Sequence, residues 1–353
     1  MTVCSPAPPA SPPAARACVS PQTGASPPQS PRAAPTRPAP TPFPRPSLRV
    51  VATVDVPQNS SANIIFDQAR ERVYLLSLEG QLVAIDAKTN TVSSTIAVSK
   101  SETVVSWNLA IDPVSARIFV YFVNESSSFG GSLAVIDANT NSVVATIAPR
   151  VVGDFGIGGV AVNPVSGCVY IGNFGTAVAV VDGTTNSQLG NIDFNSQTFD
   201  VAVDAIANRV FVLTGSGVAF IDGSSNVVVN TVGVGNGRAI AVNARTGRVY
   251  VSSGEGHGDG EVTVLDGQTG SVLKTLTVMN RPDDIAVDAS ADRIYVANIG
   301  SGTVSVIDGA TDEVVAIATV AHAMGDGIAA DPRTGRIYIF EKYTPPNTLQ
   351  VLQ

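Results

Sequence analysis

Ile-Ala-Val-Asp-Ala-Ser-Ala-Asp-Arg-Ile-Tyr-Val, residues 285–296, decides how this chain is read. Two short runs of β-branched and aromatic residues flank a turn-forming centre that opens on Asp288, the pattern of two strands joined by a tight connection. The stretch then recurs. LAIDPVSARIFV begins at Leu109, VAVNPVSGCVYI at Val160, VAVDAIANRVFV at Val201 and IAVNARTGRVYV at Ile240. Looser copies, IIFDQARERVYL from Ile64 and IAADPRTGRIYI from Ile328, bring the count to seven. The aromatic markers Tyr74, Phe119, Tyr170, Phe211, Tyr250, Tyr295 and Tyr338 lie 45, 51, 41, 39, 45 and 43 residues apart. A period of this length, carried by β-branched residues, is the signature of propeller blades.

Outward from each copy lies a second pair of apolar runs, such as VAIDAKTNTVSSTI from Val83 and VSVIDGATDEVVAIATV from Val304. These read as hairpins, so each blade has four strands. Asp86, Asp137, Asp182, Asp222, Asp266 and Asp308 open the last turn, where a carboxylate accepts backbone N–H groups two residues on. The expected fold is therefore all-β, a seven-bladed propeller of four-stranded antiparallel blades. The blades span about 60–98, 104–149, 156–195, 198–235, 237–279, 282–321 and 325–353. The seventh copy is one strand short, and LRVVATVDV, residues 48–56, supplies an outer strand with nothing before it. We expect this segment to complete the last blade and close the ring, removing open sheet edges.

Residues 1–47 have a different composition. They hold 15 of the 23 prolines and four arginines, without one acidic residue. Such a stretch buries too little apolar surface to fold alone and reads as a disordered Pro/Ala-rich tail or spacer. With the chain at −8, the folded part carries about −12, which disfavours nucleic acid and anionic membrane as partners. No apolar run is long enough for a transmembrane helix, and Pro interrupts any secretory h-region near Met1. Cys4 and Cys18 lie in the tail and Cys168 in the apolar run CVYI. Three cysteines suggest no disulfide framework, and Cys168 reads as a small buried hydrophobe.

The segment IYVANIGSGTVSVIDGATDEVVAIATV from Ile294 resembles the repeat of the YVTN β-propeller proteins, which include surface-layer and YncE-like members. The resemblance spans the folded part; blade one and the blade-two insert at Glu125 to Gly131 depart most. It implies the propeller fold and an extracytoplasmic location. It implies no single chemistry, since function lives in sites grafted on folds.

Specificity is expected where the repeats differ. Four residues before each first-strand Asp or Asn stand Asn63, Asn108, Gly159, Asp200, Ala239, Asp284 and Gly327, preceded in several blades by Trp107, Phe199, Arg238, Asp283 and Asp326. Together these give a polar, acidic channel mouth suited to a protein or small ligand, cationic or hydrogen-bonding. In the glycine-rich loop GEGHGDGE, Glu255, His257, Asp259 and Glu261 offer donors for a divalent cation such as Ca²⁺ or Mg²⁺, without the spacing of a calcium loop or an HExxH site. The leading functional expectation is a non-catalytic, monomeric binding or scaffold module that requires no cofactor. The alternative is a metal-assisted lyase or lactonase-like hydrolase at the mouth, centred on His257, His322 and Asp326 and dependent on those three converging. Nucleic-acid binding rests on family analogy alone. Arg70, Arg72, Arg117, Arg209, Arg248, Arg293 and Arg336 recur with the blades and are expected to pair with turn carboxylates. Arg238 and Arg281 depart from that pattern.

Overall fold

The computed structural model describes residues 17–21, 48–57, 60–77, 79–99, 104–124, 131–150, 158–172, 174–254, 258–320, 324–341 and 347–353. They form seven sheets of four antiparallel strands each. Blade four is typical, with strands Thr198–Asp204, Arg209–Thr214, Gly217–Asp222 and Val227–Val232 hydrogen-bonded in sequence order. Blade seven combines Met324–Asp331, Arg336–Glu341 and Thr348–Leu352 with Val50–Asp55 from the other end of the folded region.

That closing strand pairs Thr53 with Gln350, Val54 with Leu349 and Asp55 with Thr348. Its ladder is extended by Arg49 and Gln353, which exchange backbone hydrogen bonds at 3.1 and 3.0 Å. Val54 and Val56 are buried and pack against Tyr338, Phe340, Leu349 and Val351 of blade seven and Ile64, Val73 and Leu75 of blade one. The expected closure is thus the observed one.

Core packing follows from the ring. The buried residues fall into seven clusters, each at a seam between neighbouring blades; Tyr74, Leu76 and Ile118, for example, share the seam between blades one and two. A four-stranded sheet has two apolar faces and must bury both, and the ring gives every blade a neighbour on each side. First strands of adjacent blades touch one another and line the channel.

Local turn chemistry matches the sequence reading. Asp86 Oδ1 accepts N–H bonds from Lys88 at 2.8 Å and Thr89 at 2.9 Å, and Asp137, Asp182, Asp222, Asp266 and Asp308 do the same. Asn90, Asn141, Asn186, Asn226 and Asp312 end these turns with φ of 53–57°, a left-handed conformation that Asn and Asp tolerate.

Two expectations are corrected on the face that carries these turns. The repeating arginines reach mostly backbone carbonyls of the next blade's outer turn, not carboxylates. Arg209 donates to the carbonyls of Gly267 and Gln268 at 2.8 and 2.9 Å, Arg117 to those of Gly183 and Thr184, and Arg336 to that of Ala87 at 3.0 Å. The turn carboxylates are already occupied by their own N–H groups, while the carbonyls point towards the preceding blade. Of the series, Arg70 pairs as expected with the turn carboxylate Asp67 at 2.9 Å, and among the described arginines that start the second strands Arg248, bonded to Asp312, and Arg293, bonded to Asp308, also find acids. The cysteine reading also changes. Cys168 is fully buried, as expected, but is joined to Cys18 in a disulfide with a Cα–Cα distance of 5.0 Å. The pairing was not foreseen because its members lie 150 residues apart.

Candidate functional site

On the opposite face, the connections between blades meet the loops between second and third strands around the channel mouth. Here the positions that vary between repeats carry a cross-blade bonding pattern. Asp200 Oδ1 accepts the N–H of Val201 at 2.8 Å, and its Oδ2 accepts that of Ile240, in blade five, at 2.9 Å. Asp284 repeats this, bonding Ile285 N–H at 2.8 Å and Ile328 N–H of blade seven at 3.0 Å. Asn108 accepts from Leu109 N–H at 2.7 Å and donates to the carbonyl of Gly158 in blade three at 3.4 Å.

From blade two onward the ring therefore alternates a bridging side chain with a small partner: Asn108, Gly159, Asp200, Ala239, Asp284, Gly327. At Gly159 the small residue is sterically required by Asp200 of the following blade. A side chain on Gly159 would overlap Asp200 Oδ1 and come within 2.5 Å of Val201 N. Asn63, at the same level, is half-buried and takes part in bonding.

Electrostatics distinguish Asp200. Its carboxyl is crowded by protein, and the resulting desolvation pushes its pKa up to about 7, with the Asp284 charge adding to the rise against the lowering effect of the two N–H bonds. The two acids thus feel one another. Arg238 is spoken for: its guanidinium forms an ion pair with Asp283 at 2.5 Å, tying blade five to blade six. Arg281 takes a left-handed φ of 52° and accepts the Ile299 N–H through its carbonyl at 2.9 Å. Phe199 is half-buried and meets Phe174 edge-on, with ring centroids 5.5 Å apart. Phe174 was not singled out from the sequence, and only its place in the loop between the second and third strands of blade three could have suggested it.

The remaining candidates do not assemble among the described residues. Asp259 and Glu261 are exposed at the start of the strand Asp259–Asp266, in register with Asn280 and Ser253 respectively. Glu255, His257 and His322 lie outside the described residues, as do the side chains of Trp107 and Asp326. Among the described residues no group of three His, Cys, Asp or Glu side chains is placed to hold a metal ion. The convergence that the lyase reading requires lies outside what is described.

Fold and mouth together define a seven-bladed β-propeller whose repeat-breaking polar residues gather at one end of its channel. No family model and no curated protein matches the chain. Among solved structures it is similar to Kuenenia stuttgartiensis hydrazine synthase, at 16% identity and a TM-score of 0.66, covering 84% of this chain and 96% of that one. It is also similar to the Myceliophteria thermophila Cps50 (Swd1) β-propeller domain, at 11% identity and a TM-score of 0.68, covering 86% and 99%. At these identities the likeness is one of fold. Among the described residues no helix is long and apolar enough to cross a membrane.

Proposed function

We propose that this chain is a binding or scaffold propeller of the YVTN-repeat type, which presents an acidic channel mouth to a cationic ligand or to a cationic segment of a partner protein. The observation that carries this reading is that Asp200 and Asp284 hold equivalent positions in blades four and six, each bonded to the first strand of the next blade at the mouth. The Asp284 charge adds to the upward shift of the Asp200 carboxyl, and a cation bound near both would relieve that repulsion. The Cys18–Cys168 disulfide supports an extracytoplasmic location, since such bonds persist in oxidising compartments.

Thermal melting of the full chain against diamines, divalent metals, cationic peptides and anionic controls tests this. A ligand at 100 times its dissociation constant stabilises by about 2.7 kcal/mol. A rise in Tm with cations, absent with anions and reduced in Asp284→Asn relative to that variant's own baseline, is the expected outcome. Stabilisation by anions alone would remove the acidic mouth as the binding element.

A further inference from the structure

The arginine that opens the second strand acts as a clasp between blades, and blade three lacks it. Aligned with Arg72, Arg117, Arg209, Arg248, Arg293 and Arg336, the residue in blade three is Cys168. In five of the other blades the guanidinium crosses to the outer turn of the following blade. Arg72 reaches Ala138 O and Asn141 Oδ1, Arg117 reaches Gly183 O, Arg209 reaches Gly267 O, Arg248 reaches Asp312, and Arg336 reaches Ala87 O. Arg293 bonds Asp308 of its own blade, because the closing strand enters blade seven from elsewhere and makes no outer turn there.

At the seam between blades three and four, the residues that would receive an arginine receive the N-terminal segment instead. Cys18 is bonded to Cys168 and packs into the seam cluster with Tyr170, Val180, Val210 and Ile221. One residue on, the Val19 carbonyl accepts a hydrogen bond from Asn226 Nδ2 at 2.6 Å. Asn226 occupies the turn position at which Asn141 and Asp312 receive Arg72 and Arg248. Its other amide atom is satisfied by Tyr170 OH at 2.5 Å, and Nδ2 also lies 3.7 Å from Cys168 Sγ. Pro21 continues onto the outer strand of blade three, where the site of a side chain on Gly190 would be 3.2 Å from Pro21 Cδ.

We propose that the segment around Cys18 is an oxidation-dependent surrogate for the missing arginine clasp, so that this seam gains its full strength only when the two thiols are joined. The loop closed by the disulfide contains the closing strand Val50–Asp55 and the first two blades, so the bond fastens the ring at a second point, across from the hydrogen-bonded closure at blade seven. Formation is by thiol–disulfide exchange with a small-molecule disulfide. The Cys18 thiolate, the less buried of the two, attacks the oxidant and releases one small thiol. The Cys168 thiolate then attacks Cys18 Sγ in the mixed disulfide and releases the second. One disulfide is reduced for each one formed, and both protons leave with the displaced thiols or solvent. A chain made in a reducing environment thus carries a weak seam, which is locked on oxidation.

The test compares the oxidised full chain, the same chain reduced with dithiothreitol, the double variant Cys18→Ser with Cys168→Ser, and the double variant Cys18→Ser with Cys168→Arg. Peptide mapping first establishes that Cys18, not Cys4, pairs with Cys168; a Cys4 linkage overturns the proposal. Reduction is expected to lower Tm by about 5 °C and to raise amide exchange in Ser187–Asp193 and Val227–Val232 while sparing blades five to seven. The serine double variant should match the reduced protein and ignore dithiothreitol. The arginine double variant should regain most of the lost Tm, because its guanidinium would reach the carbonyls of Gly223 and Ser224 as Arg117 reaches those of Gly183 and Thr184. No change on reduction overturns the proposal, as does an arginine variant no more stable than the serine one. A rise in exchange spread evenly around the ring has the same consequence.

Discussion

The closing strand offers a sharp test of what holds the ring together, through Val54→Ala with Val51→Ala as an internal control. Val54 is 4% exposed and wedged between blades seven and one, whereas Val51, three residues earlier on the same strand, is 44% exposed. Truncation of Val54 removes two carbon atoms from a packed seam. At about 0.8 kcal/mol per buried carbon, plus a cavity term because Tyr338, Leu349 and Val351 can close up only in part, the cost is about 2–3 kcal/mol. The same truncation at Val51 removes surface that water already reaches and should cost less than about 0.5 kcal/mol. Urea denaturation followed by far-UV circular dichroism and by tyrosine fluorescence reads both values, with coincident transitions licensing two-state treatment. Removal of residues 48–57 altogether would leave Thr348–Leu352 as an unpaired edge and should produce aggregation. Equal urea midpoints for Val54→Ala, Val51→Ala and the wild type would refute the claim that this strand closes the ring.

Two further outcomes follow from named bonds. Asp200 has a folded pKa raised to about 7 by burial, above its value of about 3.9 in the unfolded chain; folding therefore binds a proton in this window. Its contribution is greatest below about pH 4 and is lost as pH rises towards 7, so the stability of the wild type relative to Asp200→Asn should fall over that range and then level off, measured by urea midpoints at pH 4, 5.5, 7 and 8.5. A relative stability that rises over the range would contradict the assignment. At the other face, Asp288 is buried and accepts N–H bonds from Ser290 at 2.9 Å and Ala291 at 3.0 Å. Asp288→Ala should cost about 1–3 kcal/mol by leaving both donors unmet, while Asp288→Asn should be tolerated, as Asn163 and Asn243 hold the same position in blades three and five; comparable losses in both variants would show that charge, not acceptance, matters there.

How much of this was legible from the chain differs from residue to residue. Asp86 and its five counterparts bond N–H groups two and three residues away, so their role is contained in a tetrapeptide. The closing strand was legible for a different reason: a copy short of one strand at one end and a lone strand at the other leave one pairing that removes both edges. The mouth was legible as a set of positions but not as a set of bonds. Asp200 meets Ile240 and Asp284 meets Ile328 across 40 and 44 residues, and only the alternation of Asn or Asp with Gly or Ala along the series hinted at bridging. The partners of Arg72, Arg117 and Arg209 were misread because their acceptors are carbonyl and amide oxygens in the next blade, 58–69 residues away, whereas Arg70, Arg248 and Arg293 do meet carboxylates.

The sequence by itself determined the number of blades and the strands of each, because those depend on periodicity and on hydrogen bonds between neighbours in the chain, and the closure, because a strand missing from the last copy is supplied by the lone strand ahead of the first. Only the tertiary structure decided which groups meet at the seams. It placed Cys18 on Cys168, gave Asn226 a backbone carbonyl in place of an arginine, and carried Asp200 to the Ile240 N–H and Asp284 to that of Ile328. Those contacts join residues whose separation along the chain carries no information about their separation in space, and the curvature of the closed ring alone brings them within bonding distance.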